Sequence, residues 1–307
     1  MDICVSGGSP SGLVTAACLA TDGHRVILVD GDAATLATVQ DGRVPVENAP
    51  AGHGAAEEPG LERLLRGAVS WGRLLAVDDL AWAARRSTLT VVCPPVRRPA
   101  PDHDLLRAVM ETLGAALRDG TDPHRVVLRW PTVPGTARAV AMPALAAAAG
   151  RPVDPLAGPL ALNLIVQPDL TRPGRAIHDY HNPSLVLLGG ASDADRDLLL
   201  GLRGPGACPV HMLDRDTAEA AAAVLGAWRA VVAGFAAEVG SITRSAGIDG
   251  TALLGLVAAD GRPATAASEG IEALVCLGAA TGTPSPLLDA VRGPWNADSV
   301  ILPGRLS

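Results

Sequence analysis

The stretch that most constrains the fold is the opening one, "MDICVSGGSPSGLVTAACLATDGHRVILVD". Residues 2–6 form a short apolar run. Gly7, Gly8 and Gly12 punctuate a turn, and Leu13, Ala16, Ala17 and Ala20 then recur at helical spacing until Gly23. "RVILVD" reads as a buried strand that closes on Asp30. Strand, glycine turn, helix and strand begin a parallel α/β sheet. The glycine spacing with its distal acid is close to the fingerprint of a dinucleotide-binding turn.

Each position has a physical reason. The first glycine permits the tight turn, and the last lets the helix approach the strand. The helix N-terminus turns free N–H groups and a positive dipole end toward a pyrophosphate. The middle position is Ser9 rather than glycine, with Gly8 one residue earlier as compensation. Pro10 stands at the helix mouth, where a missing N–H is tolerated. Gly7, Gly8, Ser9, Ser11 and Gly12 are therefore the candidate cofactor cradle. Asp30 is the candidate acceptor for ribose hydroxyls, which favours NAD over NADP. The alternative is a turn of the same shape that binds nothing.

The chain has 307 residues, 48% of them apolar, enough for one large domain or two modest ones. Its net charge is −7, and no basic run appears, so nucleic acid is not an expected partner. All 25 basic residues are arginine. No Schiff base and no lysine acid or base can come from such a chain. The five cysteines (Cys4, Cys18, Cys93, Cys208, Cys276) are widely spaced without a CxxC pair, so no metal site or disulfide framework is expected. The start "MDICVSGG" has no basic leader, which predicts a cytoplasmic protein. Glu219, Arg229 and Glu238 interrupt the Ala-rich stretch 217–242 and argue against a membrane span.

Several segments in order resemble the UDP-glucose/GDP-mannose dehydrogenase family. They are "GLVTAACLATDGHRVILVDGD", "EEPGLERLLRGAVSWGRLLAVDDLAWAARRSTLTVVCPP" with its E-P-G-L-E motif at Glu58–Glu62, and "VVLRWPTVPGTA". "QPDLTRPGRAIHDYHNPSLVLLGG", the helix around 216–249 and "RPATAASEGIEALVCLGAATGTPSPLLDAV" continue it. The resemblance implies NAD as cofactor, a long helix that builds a homodimer, and a further C-terminal Rossmann-like domain for which 307 residues leave no length.

The resemblance also implies losses. The family's catalytic cysteine falls on Ala266, the aspartate of that motif on Gly270 and its lysine on Glu269. The essential lysine and asparagine of the helix motif fall on Ala222 and Gly226. The two family glutamates fall on Asp169 and Pro173, and the threonine of S-T-V-P survives as Thr132. Without a thiol the aldehyde is not trapped, so a four-electron oxidation to the acid is closed. Losing oxyanion donors costs about 10²–10³ in rate for each.

A single hydride transfer needs no nucleophile, only NAD, a proton acceptor and a shaped pocket. Thr132, Asp169 and His178 are the candidate catalytic residues, with Thr132 also placed against the cofactor; Asp179, Tyr180 and His181 share the segment of His178. The bland alternatives are a loop histidine and a strand-end cap at Asp169. Cys93, after "LTVV", is expected at a strand's C-terminal end on the cofactor side, or simply as a small buried residue. Arg97 and Arg98 are read either as anchors for an anionic substrate or as a solvated loop.

The expected architecture is α/β: a Rossmann-type NAD-binding domain over 1–213, an all-helical dimerisation domain over 214–295, and a tail over 296–307. Strands are expected near 2–6, 25–29, 89–93, 126–129, 162–166 and 184–188, with helices at 12–22, 61–70, 103–118 and 214–246. Two functions remain in view. One is a divergent oxidoreductase acting on a small sugar- or nucleoside-like substrate of specialised metabolism. The other is a catalytically inactive dimeric scaffold.

Overall fold

The computed structural model describes residues 1–45, 58–93, 102–120, 122–130, 132–154, 161–203, 208–260 and 268–290. Arg97, Arg98, Ala266 and the tail over 296–307 lie outside the described residues. The chain divides into two compact units, Met1–Ala223 and Val224–Ser307.

The first unit is a doubly wound α/β sheet. Its strands are β1 (Asp2–Ser6), β2 (Arg25–Val29), β3 (Leu74–Val77), β4 (Leu89–Val92), β5 (Arg125–Leu128), β6 (Asn163–Val166), β7 (Val186–Gly189) and β8 (Val210–Leu213). They lie in the order β3-β2-β1-β4-β5-β6-β7-β8, all parallel except for the antiparallel β6–β7 pair. The first six follow the doubly wound dinucleotide-binding order, with its switch point between β1 and β4. β4, β6 and β7 are buried along their whole length. Strands covered on both faces read as unbroken apolar runs for that reason.

Helices cover both faces. On one lie α1 (Pro10–Thr21), α3 (Leu61–Ser70), α7 (Ala176–His181) and α8 (Asp193–Gly201), whose Leu13, Leu65, Tyr180 and Leu199 share a core with Ile3 and Val5. On the other lie α5 (His103–Leu117) and α6 (Met142–Ala149), the latter entered through a π-helical turn, Ala137–Ala141. Met110, Leu113 and Leu145 there pack on Val126 and Leu164. The short α2 (Ala33–Gln40) and α4 (Leu80–Arg85) start on Asp32 and Asp79, which accept from Thr35 N and Trp82 N. Side-chain caps of this kind satisfy N–H groups that the helix itself leaves open.

α9 (Arg215–Ser245) runs across the division between the units. In the first unit its buried Glu219 accepts from the backbone N–H groups of Gly135 (2.7 Å) and Ala137 (2.9 Å), where the α6 segment starts. In the second unit its Glu238 does the same for Leu287 (2.7 Å) and Leu288 (2.9 Å), inside α12 (Pro286–Ala290). That unit also holds α10 (Gly250–Asp260) and α11 (Ser268–Thr281), with Ile242, Val275 and Leu288 as its core. By length and composition α9 is the one helix among the described residues able to cross a membrane, with a mean hydropathy of 1.6. Two of the charges along it are the helix-capping glutamates just named.

Candidate active site

The site is built at the C-terminal ends of β1, β4, β5 and β6. β1 leads into Gly7, whose φ of +108° lies in the left-handed region that favours glycine. Gly7 N–H donates to Val29 O at 2.8 Å, tying the turn to β2. Ser9, extended, is the N-cap of α1, and its hydroxyl accepts from Gly12 N at 3.3 Å. Gly12 has no room for a side chain: a Cβ there would stand 1.8 Å from Gly7 O. The cradle's shape is thus set by Gly7 and Gly12, and Ser9 stands at the cap, where its hydroxyl has a task that glycine could not perform.

Asp30 follows β2. One carboxylate oxygen accepts from Gly8 N at 2.6 Å and the other from Asp32 N at 2.9 Å. A carboxylate offers about four lone-pair sites. Two are committed to backbone here, which leaves two for a vicinal diol such as a ribose. The cleared space at Gly12, the helix mouth and this half-used carboxylate fit NAD.

Asp169 lies three residues beyond β6 in a different condition. Arg129, the first residue after β5 and only 5% exposed, pairs with it at 2.9 Å. Thr171 donates to it through its backbone N–H (3.0 Å) and hydroxyl (2.7 Å), and the Ser11 hydroxyl donates to its other oxygen. Burial alone would raise its pKa. The Arg129 charge and the bonds from Ser11 and Thr171 outweigh burial and bring it down to about 2. Its lone pairs are taken up, and it stays charged at any physiological pH. This geometry makes it a structural anion joining β6 to α1, a poor proton acceptor.

Ser11, Cys93 and Asp169 are therefore brought together, with Arg129 among them. Cys93 is buried. Its N–H donates to Ser6 O at 2.8 Å, and its Cβ would lie 3.4 Å from a Cβ at Gly12. Burial pushes its thiol up to about 12, which makes it a packing residue behind the turn, with little thiolate available. Thr132 is half-buried after β5. His178 lies on α7 with its side chain 56% exposed, 3.3 Å from Asp179. Asp179 accepts from Nη2 and Nε of Arg172 at 2.7 and 2.8 Å, a pairing that keeps its carboxyl far below the usual range. On α9, where the resemblance puts lysine and asparagine, Ala222 is half-buried and Gly226 is exposed with open space around it.

Sequence reading missed Arg129 and the role of Glu58. Arg129 did carry a signal. It is the first polar residue after an apolar strand, as Asp30 is. Glu58, buried, accepts from Ala176 N (2.9 Å) and Ile177 N (3.0 Å), so the start of the E-P-G-L-E motif caps the helix that carries His178.

Comparison with known proteins gives the same picture. Residues 1–202 match the NAD binding domain of the UDP-glucose/GDP-mannose dehydrogenase family. GDP-mannose 6-dehydrogenase of Pseudomonas syringae is 30% identical over 263 residues, 85% of this chain and 57% of that protein. The enzyme of the same name from Azotobacter vinelandii is 30% identical over 265 residues, with the same shares. The solved ternary complex of GDP-mannose dehydrogenase from Pseudomonas aeruginosa superposes with a TM-score of 0.81 at 25% identity, over 95% of this chain and 67% of that one. The chain thus spans somewhat over half the length of the curated relatives it matches. With that domain matched and the cradle in place, NAD is its cofactor, and the chain belongs to the UDP-glucose/GDP-mannose dehydrogenase family.

Proposed function

We propose that the chain is a divergent NAD-dependent oxidoreductase that makes a single hydride transfer on a small sugar- or nucleoside-like substrate. The transfer interconverts alcohol and ketone, or serves as the transient oxidation of an epimerisation. The observation that carries this reading is the contrast between the complete cradle, with two acceptor sites of Asp30 still open, and the missing thiol, lysine and amide at Ala266, Ala222 and Gly226. When bound, NAD takes up or returns a hydride at a carbinol carbon. Asp30 accepts the ribose hydroxyls, and the start of α1 faces the pyrophosphate. Thr132 orients the substrate hydroxyl, and His178 takes its proton. A second copy of the chain is the expected partner. Val224 and Trp228, one helical turn apart on α9, expose 65% and 60% of their surface and Leu256 on α10 exposes 68%, apolar surface that association would cover.

A second reading, a dimeric scaffold without activity, draws on the same missing groups and on the saturated carboxylate of Asp169. Thermal melting with NAD, NADH and NADPH separates the two. A ligand at 100 times its Kd adds about 2.7 kcal/mol of stability. The enzyme reading expects a rise with NAD that vanishes in Asp30→Ala. No rise with any of the three supports the scaffold. Formation of a uronate from UDP-glucose or GDP-mannose with NAD would overturn the single-transfer reading.

A further inference from the structure

Most of the donors at the mouth of α1 are already engaged within the protein. Gly7 N–H goes to Val29 O at 2.8 Å and Gly8 N–H to Asp30 at 2.6 Å. Pro10 has no N–H. Gly12 N–H goes to the Ser9 hydroxyl at 3.3 Å. Among the described residues, positions 7–12 thus keep open only the N–H groups of Ser9 and Ser11. The Ser11 hydroxyl is turned to Asp169. A helix N-terminus holds a phosphate through its open N–H groups and its dipole. This cradle, which the family match assigns to NAD, is short of donors for the pyrophosphate it holds.

The Ser9 hydroxyl supplies one. It accepts from Gly12 N and, among the described residues, donates to nothing. A hydroxyl has one proton and two lone pairs, so the accepted bond leaves its proton to give. Ser9 is the N-cap of α1, extended at φ −62° and ψ 166°. A cap in that position sets its hydroxyl in front of the first turn, where the helix dipole draws an anion. A glycine there would leave Gly12 N–H open. The serine covers that N–H and presents an O–H in its place. The bond it accepts polarises the hydroxyl and strengthens the bond it gives. We infer that Ser9 is a phosphate-binding residue whose hydroxyl relays the Gly12 N–H to a pyrophosphate oxygen of NAD. The inference rests on NAD as the cofactor and adds how this chain holds it without a glycine at position 9.

The test is calorimetric titration of the whole chain with NAD, beside an NMR titration with adenosine, which carries the ribose diol and no phosphate. Ser9→Ala keeps the Cβ and removes the hydroxyl. It should weaken NAD binding about 10- to 100-fold, the loss of a hydrogen bond to a charged group, and leave adenosine binding as in the wild type. Ser9→Gly reopens Gly12 N–H and should bring NAD affinity back most of the way. Crystals of the wild-type chain with NAD should place Ser9 Oγ within hydrogen-bond reach of a pyrophosphate oxygen, a result that stands even where Ser9→Ala fails to fold. Unchanged or tighter NAD binding in Ser9→Ala would overturn the inference. So would equal weakening of NAD and adenosine, which would mark Ser9 as a cap and nothing more, or a Ser9 hydroxyl in the crystals that meets only Gly12 N. A wild-type chain that takes up adenosine and no NAD would remove the cofactor assignment itself, and the inference with it.

Discussion

Asp30 and Asp169 are the same residue type just past the C-terminal ends of two strands of one sheet, yet their surroundings assign them opposite work. Asp30 accepts two backbone N–H groups and keeps acceptor capacity for a ligand. Asp169 is met by a guanidinium, two hydroxyls and an N–H, all from the protein. An acid at a strand end is a ligand-binding group only as far as the fold leaves its lone pairs open. The β1–β2 side remains built for a cofactor, and the β5–β6 side has turned its carboxylate into a joint.

Substituting each acid in turn is the strongest way to break that contrast. Asp169→Asn leaves Arg129 buried and charged without its partner, and urea denaturation should register a loss of about 3–5 kcal/mol. The double change Arg129→Met with Asp169→Leu removes the charge and should recover most of it. Asp30→Asn should leave stability nearly unchanged while weakening NAD binding at least tenfold, read by calorimetric titration. Equal stability losses at the two positions would erase the distinction.

Within the cofactor side, Gly12 and Gly31 sharpen the comparison. A Cβ at Gly12 meets Gly7 O at 1.8 Å, whereas one at Gly31 meets nothing within 4 Å. Gly12→Ala must push the helix from the turn, at about 3 kcal/mol and with loss of NAD binding. Gly31→Ala should be near neutral in both measurements.

How much of this was legible follows from where each signal sits. The β1–α1–β2 unit and its glycines were readable because all their determinants lie within thirty residues. β3 and β8 were not expected. Each is a four-residue edge strand with exposed positions, too short and too wet to show an apolar run. α7 was missed because no local residue caps it. Its start is fixed by Glu58, 118 positions upstream. Arg129 was one arginine among 25, and burial, which only the fold reveals, is what sets it apart.

Acid separates the two sides by a smaller amount. Asp169 has its folded pKa lowered to about 2, below the ordinary carboxylate value near 4. Its stabilisation is therefore fully present above about pH 4 and is lost as pH falls through about 2. The loss amounts to about 2 kcal/mol. Stability of the wild-type chain between pH 5 and 2 should fall more steeply than that of the Arg129→Met/Asp169→Leu chain, which lacks the titrating group. Parallel curves would mean that the Arg129 pair does not hold the charge in solution.

The smallest expected effect concerns a third carboxylate, Glu58, which acts on neither ligand nor cation but on a helix end. Its two oxygens each accept one N–H, from Ala176 and Ile177, so both atoms of the charge face the positive end of α7. Glu58→Gln keeps the length and one acceptor but turns the other atom into a donor facing an N–H. The loss should be about 1–2 kcal/mol, the range of a helix cap. α7 carries His178 outward and Tyr180 inward, so the weakened start should also raise amide exchange across 176–181 while leaving the Asp30 side protected. Exchange that rises equally at 7–12 would mean that the two sides of the sheet are less independent than their carboxylates suggest.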